Sequence, residues 1–578
     1  MEDTLTLKKQ TTNEPVRFSD LQYTRPEISA VEKKFEKLIS EFDHSQSAEQ
    51  QNSVIAEINK MRNDFATAQS LVSIRHTVDT TDTFYEGEQG YFDKSSPVFE
   101  GLVHRYYQSL VKSQFRRQLE EKWGKHLFTV AEATLKIFDP VILEDLKREN
   151  ELRTECMKLV ASAKILFEGE ERNLMGLIPF ELSPERDMRI RASEAKFGFL
   201  RDNEAQLDKL YDDLVKVRTS MAKKLGYKNF IELGYARLTR DYNADDVKYY
   251  RGQILEHVVP FATALRQRQA HRLGIGEFKY YDENLTFKTG NAKPKGDPDW
   301  IIRQGTKMYK ELSKETDEFF NFMTQYQFMD LVNKKGKAGG GYCTFLNNYK
   351  APFIFSNFNG TSGDIDVLTH EAGHAFQVYM SRNFEMPEYY WPTFEACEIH
   401  SMSMEFFTWP WMESFFKEDT DKYKFAHLSG TMLFLPYGAA VDEFQHFVYG
   451  NPDASPAERK KEWRKIEKKY LPHRDYAGNT YLENGGFWQK QSHIYQNPFY
   501  YIDYTLAEIC ALQFWLKANN DRRTAWNDYV TLCKAGGSKP FLNLVELAGL
   551  ESPFKENIVP KVVHEVSNWL KAVDDSKL

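Results

Sequence analysis

The segment TSGDIDVLTHEAGHAFQVYM, residues 361–380, constrains the chain more than any other. It sets His370, Glu371 and His374 in the order His-Glu-x-x-His inside an apolar run. On a helix, positions four apart lie one turn apart on one face, so both imidazoles can reach a single ion with Glu371 beside them. A chain built around this pattern must bury that helix and bring a third donor to its polar face. Val367, Leu368, Ala372, Ala375 and Phe376 supply the apolar surface, and Thr361, Ser362 or Asp364 is placed to cap the start. A bound zinc ion lowers the pKa of a coordinated water to about 7, where a neighbouring carboxylate can take its proton. The pattern alone also fits two core histidines with no ion between them, so its meaning depends on a third donor and on what supports the rings.

Asp366 is one source of support. It lies four residues before His370 on the same face, positioned to accept a hydrogen bond from the ring nitrogen turned away from the ion. A place in the first helical turn is also favourable to an aspartate through the helix dipole. The third donor is sought in TFEACEIHSMSMEF, 393–406, where Glu395, Glu398, Met402 and Glu405 follow three- and four-residue steps and share a helical face. His400 is two residues from Glu398, about 200° around the helix, and points away. Glu398 comes 24 residues after His374, enough for the loop SRNFEMPEYYWPT and a returning helix. Glu405, two turns further on, is placed to reach a ligand histidine. Helical geometry admits either Glu395 or Glu398 as the ligand.

The rest of the chain reads as mostly helix with one small sheet. At 578 residues it exceeds the size at which one core stops growing, so at least two lobes are expected, with a boundary near 180 dividing 1–180 from 181–578. PEISAVEKKFEKLISEF, 26–42, carries Ile28, Val31, Phe35, Leu38 and Ile39 on one stripe, as an amphipathic helix does. A helical pattern runs from Ser183 to a terminal Gly226. The runs 288–300 and 333–343 are polar, Gly- and Lys-rich loops, and YCTFLNNYKAPFIFSNFNG after them is the best strand-forming stretch. A net charge of −8 gives no support to nucleic-acid or anionic-membrane binding. MEDTLTLKKQTTNEP lacks the apolar core of a secretory signal, and no run approaches the roughly 18 apolar residues that cross a bilayer. Five scattered cysteines without a CxxC pair argue against disulfide stapling or a thiolate cluster. The expectation is a cytoplasmic protein.

THEAGHAF followed by EACEIHSMSMEFF resembles the zinc-oligopeptidase family of thimet oligopeptidase, specifically its bacterial oligoendopeptidase F branch. The resemblance extends through LGYKNFIELGY, GGGYC, PFIFSNFNGTSGD and WQKQSHIYQNPFYYIDYTLA, across roughly 190–510, and is weaker before 180. It implies a two-lobed helical ellipsoid with a deep substrate channel and a small sheet beside one zinc ion. It also implies internal cleavage of short oligopeptides. By the same resemblance His370, His374 and Glu398 are the metal ligands, Glu371 is the general base, and Glu405 supports the ligands while Glu395 has no such role. FWQKQSHIYQNPFYYIDY, 487–504, would supply His493, Tyr504 and Tyr501 to stabilise the transition state, with Tyr500 unassigned. Asn497-Pro498 stands here where thimet oligopeptidase carries a glycine-rich loop. The loop before Tyr342 resembles a mobile element that meets substrate, and the strand around 353–358 is expected to offer a peptide an edge to pair with. Alternatives are a zinc carboxypeptidase, a dipeptidyl carboxypeptidase, or a non-catalytic peptide-binding protein. The first two require a cation for a peptide C-terminus, and none stands out in the sequence.

Overall fold

The computed structural model describes residues 16–578, so the stretch 1–15, on which the absence of a signal was read, lies outside it. The apolar stripe noted at 26–42 becomes the helix Ile28–Asp43, which buries Val31, Phe35, Leu38 and Phe42. It packs with the helices Ala48–Val78 and Thr83–Val111, whose Ile55, Ile58, Phe65, Phe92, Phe99 and Tyr106 complete a separate apolar core. The Ala48–Val78 helix starts at Ser47, whose side chain accepts from the Gln50 backbone N–H. Its far end leaves this lobe, because Leu71 and Ile74 belong to the much larger second core. That core also takes Phe138, Ile142, Leu146, Leu152 and Cys156. Up to Ala131 the chain supplies mostly the small core, and from Phe138 mostly the large one.

The pattern from 183 to 226 forms two helices, Arg186–Asp202 and Glu204–Lys224, broken at Asn203. Two short strands, β1 (Ile165–Phe167) and β2 (Glu170–Arg172), make an antiparallel hairpin. The second sheet has three strands, β3 (Met329–Val332), β4 (Tyr342–Leu346) and β5 (Ala351–Phe358), in the order β3-β5-β4. β5 pairs parallel with β3 and antiparallel with β4, and all its residues are buried. The strand at 353–358 is thus the centre of the sheet. It has neighbours on both sides, and the edge nearer the glycine loop belongs to β4.

Chain direction reverses after β5 at a turn held by Asp364, whose carboxylate accepts from the backbone N–H groups of Asn359 (2.8 Å) and Gly360 (2.9 Å). The motif helix, Gly363–Ser381, follows directly and lies against β5. A loop then leads to the return helix, Phe394–Phe407, after which come the long helix Thr420–Gly450 and the closing helix Tyr501–Ala535. Motif, return and closing helices pack against one another. The first pair approach closely at Gly373, where an added Cβ would lie 2.6 Å from the His400 carbonyl oxygen and from Ser401 Cα. Only glycine permits that crossing.

The loop between these two helices plugs into the smaller lobe. Met386 and Tyr389 sit in its apolar core. The Tyr389 hydroxyl donates to the Trp123 carbonyl (2.7 Å) and accepts from the Leu127 N–H (3.0 Å), while Arg62 pairs with Glu388 at 2.8 Å. No helix among the described residues is long and apolar enough to cross a membrane.

Candidate metal centre

His370 and His374 project from the motif helix with their Nε2 atoms 3.2 and 3.4 Å from one oxygen, Glu398 Oε2. One donor atom from each residue falls within 4.8 Å of the other two. Two imidazoles and a carboxylate so arranged suit a tetrahedral divalent ion with one position open. Burial opposes charge on Glu398, yet His374 and His370 hold its carboxyl well below the usual range, so it is an anionic donor. Ser401 donates to Glu398 Oε2 (2.9 Å), and the Tyr500 hydroxyl donates to Oε1. Tyr500, left unassigned from sequence, therefore touches the carboxylate directly.

Behind the rings, His370 Nδ1 lies 2.7 Å from Glu405 Oε1, and Glu405 Oε2 lies 2.7 Å from His427 Nε2. Trp409 Nε1 donates to His427 Nδ1 (3.3 Å), which leaves the His427 proton on Nε2 for Glu405. Burial opposes charge on Glu405, while His370 and His427 draw its carboxyl down. The bond expected from His370 to Asp366 is thus made to Glu405. Asp366 instead accepts from the Tyr423 hydroxyl (2.7 Å), and burial pushes it up to about 6. One turn before His370, it faces the long helix while Glu405 comes over the ring from the return helix. His427 was not found from sequence, since nothing local marks a histidine 22 residues past its partner.

Glu371 is buried, and its Oε2 has no hydrogen-bond partner among the described residues. Burial raises its carboxyl above the ordinary range, against the pull of His370 and His374. The glycine loop comes right up to it: a Cβ on Gly341 would stand 3.0 Å from Glu371 Oε1. That loop is anchored just upstream, where Ala338 N–H donates to the Thr77 carbonyl (2.8 Å) and Asn357 donates to the Ala338 and Gly340 carbonyls (2.9 and 2.8 Å).

His493, Tyr501 and Tyr504 form the opposite wall. Tyr437 donates to Gln491 Oε1 (3.1 Å), turning the Gln491 amide NH2 toward His493 Nδ1 (2.7 Å). The proton of the ring is then on Nε2, 3.1 Å from the Tyr504 hydroxyl. Burial drives His493 down to about 4, so it is a neutral donor at neutral pH. Burial likewise raises the Tyr504 and Tyr501 phenols. Gln491 and Tyr437 were also missed from sequence. The wall is set by the turn before the closing helix. There Phe499 adopts φ +68°, its N–H donates to Gln445 Oε1 (2.9 Å), and its carbonyl accepts from Arg240 Nη2 (2.7 Å). Its ring fills the space over Gly234, in LGYKNFIELGY, where a Cβ would come within 2.7 Å.

Two candidates of the 393–406 cluster stand apart. His400 is buried and driven down to about 3 by that burial. Glu395 is buried near Arg240 and Asp503 rather than at the donors, and burial followed by Asp503 raises its carboxyl. A cavity of roughly 610 Å³ opens beside the centre, lined among others by Asp366, Glu405, His427, His493, Tyr501 and Tyr504.

A helical scaffold carrying a His/His/Glu donor set, a free buried carboxylate and a wall of neutral donors defines a metallopeptidase-type centre. The models for the peptidase M3 N-terminal domain and for peptidase family M3 match residues 18–138 and 180–562. The chain belongs to peptidase family M3. Among solved structures it is similar to PZ peptidase A with an inhibitor, at 61% identity over 97% of this chain and 100% of that one, TM-score 0.96. A Bacillus anthracis protein bearing the name oligoendopeptidase F is 58% identical over 97% and 99% of the two chains, TM-score 0.92. An oligoendopeptidase F homolog of Borreliella burgdorferi is 26% identical over 250 residues, so the match spans 41% of this chain and 41% of that relative.

Proposed function

We propose that this protein is a zinc-dependent endopeptidase that hydrolyses internal bonds of short, unfolded oligopeptides. The observation that carries the reading is the convergence of His370, His374 and Glu398 beside the unpaired, buried carboxylate of Glu371. One zinc ion held by those three residues would polarise a peptide carbonyl and acidify a water. Glu371 takes a proton from the attacking water and returns it to the leaving amine, a role suited to a carboxyl raised by burial. His493 Nε2–H and the Tyr504 hydroxyl donate to the carbonyl oxygen as it gains charge, and Tyr501 adds a second phenol to that wall. Glu405 holds His370 in one tautomer and orientation. The free edge of β4 offers backbone groups to an extended substrate. We assign the helical lobe before the catalytic part a packing role. All five cysteines are free, which suits a cytoplasmic protein.

Digesting a library of peptides graded by length, with and without chelator, tests the reading by mass spectrometry. Internal cuts that vanish with chelator and return with zinc are expected. Release of only terminal residues or dipeptides would overturn the endopeptidase assignment.

A further inference from the structure

The cavity beside the candidate centre does not end at its own wall. Thr286, Ala426, Gly430 and Phe434 also line a second cavity of roughly 340 Å³, so the two adjoin. The second differs in charge. Its lining includes Arg266, Arg268, Arg272, Arg474 and Lys490, against the single carboxylate of Glu283.

Four of these cations are already engaged. Arg474 makes a two-pronged pair with Glu283 (2.9 and 2.6 Å), which Arg266 also approaches at 3.6 Å. Arg268 and Arg272 both bind Asp575. Lys490 is the exception. It has no ion pair or hydrogen bond among the described residues, and its ammonium stands over the ring of Phe487 at 4.0 Å and that of Tyr437 at 5.5 Å. Its side chain is solvent-exposed and lines the cavity.

Lys490 is also tied to the catalytic wall. It precedes Gln491, the residue that fixes His493, and Tyr437 beneath its ammonium donates to that same Gln491 and packs edge-on against Tyr501 at 5.8 Å. A peptide crossing the first cavity past Tyr501 and Phe434 therefore runs toward an unpaired cation on an aromatic floor. We propose that this second cavity is a subsite for a carboxylate of the bound peptide, with Lys490 as the group that receives it. The carboxylate is either the free C-terminus or an acidic side chain near it. The inference rests on the peptide-hydrolase reading above and adds a recognition element to it. The surrounding arginines reinforce the field, and each already pairs with or approaches a carboxylate of this chain, Glu283 or Asp575.

Three matched peptides test it: a free acid, its C-terminal amide, and an amide with glutamate one residue from the end. KM, kcat and the position of the cut are measured for the wild type, Lys490→Met and Lys490→Arg, and binding is measured by calorimetry on Glu371→Gln with and without Lys490→Met. A charge-assisted contact predicts that the wild type has about a tenfold or greater lower KM for the acid than for the amide, with kcat little changed. Lys490→Met abolishes that difference and Lys490→Arg keeps most of it. Recovery of low KM by the glutamate-bearing amide would identify a side chain as a sufficient source; no recovery would identify the terminus. Equal KM values for acid and amide in the wild type, or a difference that survives Lys490→Met, would overturn the subsite. The peptidase reading is judged separately: cleavage of the amide by the wild type upholds it whatever the acid does. If no peptide is cut yet Glu371→Gln still binds acid over amide through Lys490, that reading falls and the subsite stands.

Discussion

Glu371 and Glu398 lie on neighbouring helices, yet their environments suit them to opposite tasks. Glu398 has both oxygens engaged and is held anionic by two imidazoles, whereas Glu371 keeps a buried oxygen free and a carboxyl raised by burial. Replacing Glu371 with Gln keeps the shape and removes the proposed base. Metal content measured by atomic absorption should stay near one per chain while turnover drops by at least 10²–10⁴-fold, roughly the share of general base catalysis. Tyr504→Phe removes one proposed donor to the developing charge, and a loss in kcat of roughly 10²–10³-fold is expected. His493 gives a pH prediction with a definite sign. Its pKa in the folded protein, about 4, lies below the ordinary value for histidine. Its contribution to stability is therefore complete above about pH 6.5 and is lost as the pH falls toward 4. Melting temperatures recorded from pH 7 to 4 should fall less steeply for His493→Gln than for the wild type. The residues of this site that sequence exposed are those joined by local helical periodicity, His370, Glu371 and His374. The partners joined only in space, such as His427 behind Glu405 or Gln491 behind His493, have no periodic signal to betray them.

At the level of elements, the donor set depends on how closely two helices cross. Gly373 occupies a variable position of the motif by chemistry but a fixed one by packing, because the return helix backbone passes where a side chain would begin. Gly373→Ala should cost about 1–3 kcal/mol, as overpacking commonly does, and should weaken zinc binding by moving Glu398 away from the histidines. Thermal melts and competition with a chromogenic chelator read the two effects. The two glutamates of the return helix separate in the same experiment: Glu398→Ala loses the metal and Glu395→Ala retains it. Helical phase put both on one face and only the resemblance divided them; the neighbouring elements supply the physical reason, since Glu395 meets Arg240 and Asp503 while Glu398 meets the motif helix. Element identity was legible where periodicity was strong, as at 26–42. Strand order was not, because the same apolar run serves a central or an edge strand, and β5 proved central. The break at Asn203 was equally hidden, as the apolar spacing continues on both sides of it.

For the whole molecule, a metal that binds only the folded state stabilises it by mass action, by about 4 kcal/mol at a thousandfold excess over Kd. Chelation should accordingly lower the melting temperature of the wild type and leave that of Glu398→Ala unchanged. The loop from the motif helix to the return helix, seated in the smaller lobe through Met386, Tyr389 and the Arg62–Glu388 pair, gives this linkage a mechanical side. The histidines and the glutamate are fastened to opposite ends of a strut whose middle is gripped by another body. Prying the lobes apart would tug on the jaws proposed to hold the ion, so the rate of zinc escape would gauge how firmly the lobes are clasped.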